Sequence, residues 1–258
     1  ALHLFSRTAR SYRLFDGLPA AAGGGTYFRQ HPLTGEWISY SGVRQGRTFL
    51  PNVAECPLCP MTDGGPTTDI PVDDYEVAIF TNRFAALTPD AGPPPEMMLE
   101  TRPGTGVCDV VSYSADHNAS LSTIGPDRIV LLLDALAMRC DELMANPDIA
   151  YVMPFENRGR EIGVTLDHPH GQIYAMSQLQ DRIEKVAAAF RHDDPLSELA
   201  ERLPQQLVLA QNDSGIAFVP PWARYPFEVW IAPHQCVADL ASLGRTARAD
   251  MAWLLHIS

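Results

Sequence analysis

The sequence is poor in positive charge. Of its 258 residues, 19 are lysine or arginine and 31 are aspartate or glutamate, which gives a formal net charge of −12. Lys185 is the only lysine. Nucleic acid attracts basic surfaces, so this composition excludes a protein that binds nucleic acid through its general surface field. A small anionic ligand remains compatible if arginines cluster locally, because a guanidinium binds phosphate through two parallel hydrogen bonds.

Long apolar runs and abundant cysteines are also lacking. No run of about 18 apolar residues is present, so we expect no membrane span. Residues 1–13 are polar and include arginine, without the apolar core of a secretory signal. The five cysteines, an odd number with one Cys-x-x-Cys pair, fit a metal or redox site better than a disulfide framework. The expected compartment is therefore the cytoplasm.

The composition and patterning that are present predict a folded α+β protein. With 46% hydrophobic and 19% charged residues the chain can bury a substantial core. Apolar residues at helical spacing predict a long helix, and weaker patterns predict three more, at 126–145, 180–191, 195–203 and from about 244. Runs rich in β-branched and aromatic residues predict strands at 36–40, 75–81, 108–113, 148–155, 162–166, 172–176, 205–210, 215–219 and 227–232. We expect a lead-in over 1–25 and loops over 61–74 and 88–106. Antiparallel strands mixed with helices favour α+β over a doubly wound sheet.

A weak internal repeat predicts two related halves. The first copy aligns 77–80, 110–113 and the histidine turn at His117 with 215–218, 228–231 and the turn at His234 in the second. Each copy then enters a helix. We therefore expect a first domain over 1–178 and a second, incomplete domain over 179–258. The alternative is a chance similarity of two amphipathic segments.

Cys56 and Cys59 form the Cys-x-x-Cys pair. Two thiolates at this spacing can bind one zinc ion. A thioredoxin-like redox pair would open a helix after a strand, which the flanking prolines disfavour. A third interpretation is two ordinary cysteines in a loop. Since no second pair follows, two histidines would complete a neutral tetrahedral site, and spacing alone does not choose among the histidines.

The centre of the chain carries His168, His170 and Gln172 at alternate positions of an Asp-His-Pro-His-Gly-Gln run. In an extended backbone these three side chains share one face, and the intervening Gly171 allows a ligand to approach closely. An imidazole is a competent nucleophile, and its phosphoramidate can pass the group on. The Gln172 amide can donate to a phosphate oxygen. Two histidines that bind a metal, or that are buried polar groups, fit the same pattern.

Other polar segments complete the candidate set. Arg44 and Arg47 lie three residues apart and could bind a diphosphate together, although an arginine in a polar loop is usually solvated. Residues 156–159 and 163–165 place a polar turn and a small hydroxyl beside the histidines.

Taken together, these segments resemble the galactose-1-phosphate uridylyltransferases of the histidine-triad superfamily. The resemblance covers nearly the whole chain in order, and its most specific part is His-Pro-His-Gly-Gln. The matching stretches are His31-Pro-Leu-Thr-Gly-Glu-Trp37, Arg44-x-x-Arg47, Cys56-x-x-Cys59, Thr81-Asn-Arg-Phe-Ala-Ala-Leu87, Ser114-Ala-Asp-His117, Phe155-Glu-Asn-Arg-Gly159 and His168-Pro-His-Gly-Gln-Ile173.

This resemblance implies a fold of histidine-triad-like antiparallel sheets with flanking helices. It implies ping-pong transfer of a uridylyl group between UDP-glucose and galactose 1-phosphate, with His170 as the nucleophile and Gln172 steadying the phosphate. One structural zinc ion would have the ligands Cys56, Cys59, His117 and His168. The UDP-sugar would be bound by Asn82, Arg83, Asn157, Gly163 and Thr165. Arg44 and Arg47 would reach a nucleotide in the other subunit, which implies a homodimer.

The chain departs from the family pattern where many members bind a second metal. Gln180 stands at the position of a glutamate ligand, and the later histidine cluster is absent, so we expect no second metal. Two other functions remain open. One is a sister enzyme that transfers an adenylyl group, such as an ADP-sugar or dinucleotide phosphorylase. The other is a catalytically idle, zinc-stabilised module that binds a nucleotide sugar.

Overall fold

The computed structural model describes residues 1–16, 25–42, 44 and 51–258. In these residues the strands are β1 (Leu2–Phe5), β2 (Thr26–Gln30), β3 (Trp37–Ser41), β4 (Val77–Thr81), β5 (Thr101–Pro103), β6 (Gly106–Ser112), β7 (Tyr151–Phe155), β8 (His170–Met176), β9 (Val208–Gln211), β10 (Gly215–Phe218) and β11 (Trp230–Pro233). The helices are α1 (Pro126–Met144), α2 (Asp181–Ala189), α3 (Pro195–Arg202) and α4 (Arg245–Ile257). None of the described helices is both long and apolar enough to cross a membrane.

The described residues group into two compact units. The first comprises 1–120 and 140–181, and the second comprises 121–139 and 182–258. The sequence predicts a division after residue 178. In the structure, most of α1, from Pro126 to Arg139, also groups with the second unit.

The first unit is built on a five-stranded antiparallel sheet in the order β1-β4-β6-β8-β7. Val77 to Phe80 of β4 are all buried, as expected of an interior strand covered on both faces. β7 lies at the edge and contains Pro154, which an edge strand tolerates because one side needs no donor. Along β8, Gly171 and Ile173 are buried while His170 and Gln172 are partly accessible. This alternation puts the two polar side chains on one face.

Two apolar clusters cover one face of that sheet. Phe28 of a small sheet, ordered β3-β2-β5, packs with Leu87 and Cys108. Val110, two residues further along β6, packs against the cluster that contains Cys56 and Leu58. Side chains two apart on a strand share a face, so the small sheet and the Cys-x-x-Cys segment cover neighbouring parts of it.

The second unit contains a three-stranded antiparallel sheet in the order β11-β10-β9. Met251 and Leu254 of α4 pack with Ala217 of β10, and Leu133 of α1 joins this cluster. α3 starts at Pro195, where Asp194 accepts a hydrogen bond from the backbone N–H of Ser197 at 3.2 Å. That side chain caps the helix by satisfying a free N–H of its first turn.

The predicted α+β class with antiparallel sheets is confirmed, and so is the long helix, which runs from Pro126 to Met144. The strand predicted over 162–166 is wrong. Gly163, inside this range, has a φ of 77°, in the left-handed region that a strand cannot pass through. The predicted strand over 205–210 starts as a 3-10 turn and becomes β9 only at Val208. β1 and β5 lie in segments predicted as lead-in and loop.

Both copies of the predicted repeat form an antiparallel strand pair followed by a helix. The register differs from the sequence alignment by two residues, however. Phe80 lies opposite Val110, and Phe218, its counterpart, lies opposite Trp230. His234 therefore corresponds to position 114 in the first copy and not to His117.

Candidate active site

Three loops of the first unit bring a cluster of cysteines and histidines together. A 3-10 turn over Val53–Glu55 leads into Cys56, and the N–H of Cys59 donates to the Cys56 carbonyl at 3.4 Å, which closes a turn. His117 follows β6 and His168 precedes β8. Because Ser112 and His170 are paired across these two strands, the flanking loops emerge side by side.

The cluster has the dimensions of a tetrahedral zinc site. The ligand atoms of Cys56, Cys59, His117 and His168 all lie within 4.8 Å of one another. Nδ1 of His168 is 3.7 Å and 3.5 Å from the sulfurs of Cys56 and Cys59, and Nδ1 of His117 is 3.5 Å from the Cys59 sulfur. Zinc–sulfur and zinc–nitrogen bonds of ordinary length predict an edge of roughly 3.5 Å for such a tetrahedron. The four residues can therefore hold one metal ion.

The protonation states of the cluster residues are also compatible with a bound cation. His168 donates from Nε2 to the Ser114 carbonyl at 2.8 Å, which leaves the Nδ1 lone pair directed at the thiols. Burial lowers the pKa of His168 to about 4, so its ring is neutral. Burial and the neighbouring Cys56 raise the pKa of Cys59 to about 12. Without a cation the Cys59 thiol therefore keeps its proton at neutral pH, and a zinc ion would supply the positive charge that stabilises its thiolate.

A cavity opens beside this cluster on the covered face of the five-stranded sheet. It brings together most of the residues predicted to act on or bind substrate, which are Arg44, Asn82, Arg83, Thr165, His170 and Gln172. Arg47 lies outside the described residues. Asn157 lies in the wall of a second opening, together with His117 and His168, and His170 lines both. Gly163, with φ of 77°, belongs to the turn before Thr165. The structure thus gathers side chains that are far apart in sequence.

His170 is held in one tautomer. Its Nδ1 is 2.8 Å from the carbonyl of His168, and since a carbonyl only accepts, Nδ1 carries the proton. Nε2 of a neutral ring then keeps its lone pair. Burial lowers the pKa of His170, against the effect of this hydrogen bond, and so favours the neutral form. The ring is chemically a nucleophile, at the edge of a cavity, with Gln172 on the same face of β8.

The two arginines of the cavity differ in their partners. Arg44 donates to the Tyr174 hydroxyl at 2.6 Å, and this partner is neutral. Arg83 lies 3.7 Å from the carboxylate of Asp69, and its guanidinium lies over the Phe84 ring at 4.8 Å. Burial raises the pKa of Asp69, and Arg83 opposes that effect. Arg44 thus lies on the cavity of its own chain.

Comparison with known proteins identifies the family. Residues 27–180 match the family model described as the N-terminal domain of galactose-1-phosphate uridyl transferase. The chain belongs to the galactose-1-phosphate uridylyltransferase family. The enzyme of that name from Thermotoga maritima is 34% identical over 240 residues, which cover 89% of this chain and 73% of the relative. The one from Streptomyces lividans is 35% identical over 230 residues, covering 86% of this chain and 60% of the relative.

A solved structure titled as a uridylyltransferase superposes with a TM-score of 0.76 at 30% identity, over 89% of this chain and 73% of that one. The resemblance stated from sequence motifs is therefore confirmed. So is the expected fold, an α+β arrangement of antiparallel sheets like that of the uridylyltransferases.

Sequence reasoning missed three residues that shape this uridylyltransferase-family site. Asp69 lies in a loop rich in glycine, proline and threonine, where no pattern distinguishes it. Tyr174 follows Gln172 at the next position on the same face of β8. The alternation of side chains along a strand was therefore the signal that could have placed it beside the site. Tyr75 contacts the metal cluster, and only its place just before β4 hinted at burial.

Proposed function

We propose that the chain exchanges a uridylyl group between UDP-glucose and galactose 1-phosphate through a uridylyl-histidine intermediate on His170. The observation that supports this most directly is the fixed tautomer of His170, with Nε2 unprotonated at the edge of a cavity lined by Arg44 and Gln172. Membership of the uridylyltransferase family supplies the reaction type. The chain spans 73% and 60% of the two relatives described, so the activity of the full-length enzymes enters here as a proposal.

In the proposed first half-reaction, Nε2 of His170 attacks the α-phosphorus of UDP-glucose. A phosphorus–nitrogen bond forms, the bond to the bridging oxygen breaks, and glucose 1-phosphate leaves. In the second half, a phosphate oxygen of galactose 1-phosphate attacks the same phosphorus, the bond to nitrogen breaks, and UDP-galactose leaves. The amide of Gln172 donates to a non-bridging oxygen as charge builds there. The hydrogen bond from Nδ1 to the His168 carbonyl holds the ring for both attacks.

The charges of the cavity suggest how the substrate is oriented. Arg44 has only the neutral Tyr174 hydroxyl as its hydrogen-bond partner among the described residues, so it is the better phosphate ligand. Arg83 forms an ion pair with Asp69, and this pair offers both a hydrogen-bond donor and an acceptor to the nucleoside. We place Asn82, Asn157, Gly163 and Thr165 around the UDP-sugar as well. Arg47 is proposed to join Arg44 at the nucleotide.

We further propose that Cys56, Cys59, His117 and His168 hold one structural zinc ion. The ion would cross-link the Cys-x-x-Cys turn to the segment that presents His170, and would stay out of contact with substrate. A homodimer and a cytoplasmic location are also proposals, and they rest on the family resemblance and on the cysteine pattern. With Gln180 at the glutamate position, we propose no second metal.

The test is transfer of label from UDP-glucose carrying ³²P at the α-phosphate. Wild-type protein should gain the labelled uridylyl group. In a separate assay it should exchange ¹⁴C-labelled glucose 1-phosphate into unlabelled UDP-glucose, because the α-phosphate stays on the enzyme when glucose 1-phosphate leaves. His170→Gly should lose both reactions while its zinc content, measured by atomic absorption, stays equal to that of the wild type. If the variant still exchanged label, the covalent assignment would be wrong.

Intact mass separates the alternatives. A mass increase of one uridylyl group with UDP-glucose, and none of an adenylyl group with ADP-glucose, supports the proposed enzyme. The reverse result indicates the adenylyl-transferring sister enzyme. No adduct with either nucleotide sugar indicates a module that binds without catalysis.

A further inference from the structure

Tyr75 lies between the Cys-x-x-Cys turn and His168, one of the two histidines of the cluster. It lies two residues before the start of β4, and it is only 2% exposed. Its ring packs in the same apolar cluster as Cys56 and Leu58, below the Cys-x-x-Cys turn. The mechanism proposed above does not use this residue, and Tyr75 is absent from the lining of the cavity that holds His170.

The Tyr75 hydroxyl has three hydrogen-bond partners. It lies 2.7 Å from the Leu58 carbonyl, 2.8 Å from Oγ of Ser112 and 3.0 Å from Nε2 of His168. A carbonyl cannot donate, so the single hydroxyl proton of Tyr75 goes to Leu58. The tyrosine oxygen can then accept from the Ser112 hydroxyl and from the Nε2–H of His168. That N–H is shared between Tyr75 and the Ser114 carbonyl.

Through one hydroxyl oxygen, this arrangement joins three parts of the chain that are far apart in sequence. Leu58 lies inside the Cys-x-x-Cys turn, Ser112 ends β6, and His168 precedes β8. A metal ion would join the same turn and the same histidine from the opposite side of the imidazole ring. The ring of His168 is thus fixed at both nitrogens.

We propose that Tyr75 is a positioning residue for the metal centre, whose hydroxyl joins the Ser114 carbonyl in holding Nε2 of His168 and sets the distance between that ring and the Cys-x-x-Cys turn. This rests on the proposed zinc site. Groups that hydrogen-bond to a metal ligand and orient it typically lower the metal affinity 10–100-fold when they are removed. The His168 carbonyl also holds Nδ1 of His170, so the same anchor supports the nucleophile.

The test replaces Tyr75 by phenylalanine and measures zinc affinity by competition with a chromogenic chelator. Tyr75→Phe keeps the buried ring and loses only the hydroxyl, so affinity should fall roughly 10- to 100-fold. In cobalt-substituted protein the visible ligand-field bands should shift, since the His168 ring is then held by Ser114 alone.

Tyr12→Phe is the matched control. Tyr12 packs against the same apolar cluster, but its buried hydroxyl has no hydrogen-bond partner in the described part of the chain. This variant should bind zinc as the wild type does. Equal zinc affinity in Tyr75→Phe and wild type, or an equal loss in both variants, would overturn the role of Tyr75. Wild-type protein that binds no zinc would instead overturn the metal site itself.

A measurement on the wild-type zinc protein covers the case in which Tyr75→Phe does not fold. Long-range ¹H–¹⁵N spectra of the histidine rings should show His168 protonated at Nε2. A slowly exchanging Tyr75 hydroxyl proton should give a nuclear Overhauser effect to that ring proton. A His168 ring protonated at Nδ1, or a rapidly exchanging Tyr75 hydroxyl, contradicts the proposal.

Discussion

Gly171 shows how a residue between two functional side chains can have a purely structural role. Its place between His170 and Gln172 suggested a gap for substrate, but alternation along β8 turns it to the opposite, buried face. A methyl group at this position would collide with the Tyr113 hydroxyl and lie 2.8 Å from the Phe155 carbonyl oxygen. Glycine is therefore required here because neighbouring strand backbone and a tyrosine pack against it.

Gly171→Ala should accordingly destabilise the protein by about 1–3 kcal/mol, the usual cost of forcing an extra methyl group into a packed interior. Urea denaturation measures the change. Adding Tyr113→Phe removes the closest obstacle and should recover part of the loss, but not all, because the Phe155 carbonyl stays in place. Gly92→Ala, where nothing lies within 4 Å of the new methyl group, should leave stability unchanged. An equal effect at the two glycines contradicts this account.

The chemistry and spacing of single residues predicted part of the candidate site. The spacing of Cys56 and Cys59 indicated a metal, and the structure shows their sulfurs beside two imidazoles. Which histidines take part was not readable from spacing, because His117 and His168 meet only through the pairing of β6 with β8. Asp69 could not be predicted either, since its burial beside Arg83 depends on how a long loop folds back.

Among the elements, β1 illustrates a strand that hydrophobic patterning alone does not reveal. Its four residues are all only partly buried, and it pairs with β4 at the edge of the sheet. The chain that follows is anchored at Glu76, a carboxylate only 2% exposed. It accepts from the Arg7 backbone N–H at 2.7 Å and from the Arg10 guanidinium at 3.0 Å. Ion pairs between residues far apart in sequence therefore stabilise a segment whose own residues only weakly favour a strand.

Glu76→Gln should release this anchor. The amide keeps the size of the side chain but removes the buried charge that faces two guanidinium groups, so we expect a loss of about 2 kcal/mol, as for hydrogen bonds to a charged group. Hydrogen exchange should show faster exchange of the β1 amides. Asp74→Asn is the control, because this partner of Arg10 is 58% exposed and such pairs contribute little. If β1 stayed fully protected in Glu76→Gln, the anchor would lie elsewhere.

On the scale of the whole molecule, net charge and local charge have separate consequences. The chain carries −12 overall, yet the cavity contains Arg44 and Arg83 beside the imidazole of His170. A nucleotide sugar needs only the local cations, whereas a nucleic acid needs an extended basic surface. The charge count therefore argues against a nucleic-acid partner, but it does not predict a nucleotide-sugar ligand. For that, the fold had to bring residues 44 and 83 to one cavity.

The two units also differ in what a metal ion can stabilise. All four cluster residues belong to the first unit, and the register of β10 with β11 places no counterpart of His117 in the second. Zinc at about 1,000 times its Kd stabilises the state that binds it by about 4 kcal/mol. Removing zinc with a chelator should therefore weaken the first unit selectively, with faster amide exchange in the Cys-x-x-Cys turn and β8 but not in β10 and β11.

Cysteine variants give the same comparison without a chelator. Cys59→Ser removes one ligand and should reproduce the exchange pattern of the zinc-free protein, because serine is a poor zinc ligand at neutral pH. Cys236→Ser changes an exposed cysteine of the second unit and should alter neither zinc content nor exchange. Equal loss of protection in β8 and β10 after zinc removal would mean that the ion stabilises both units, and the two would then have to unfold as a single cooperative body.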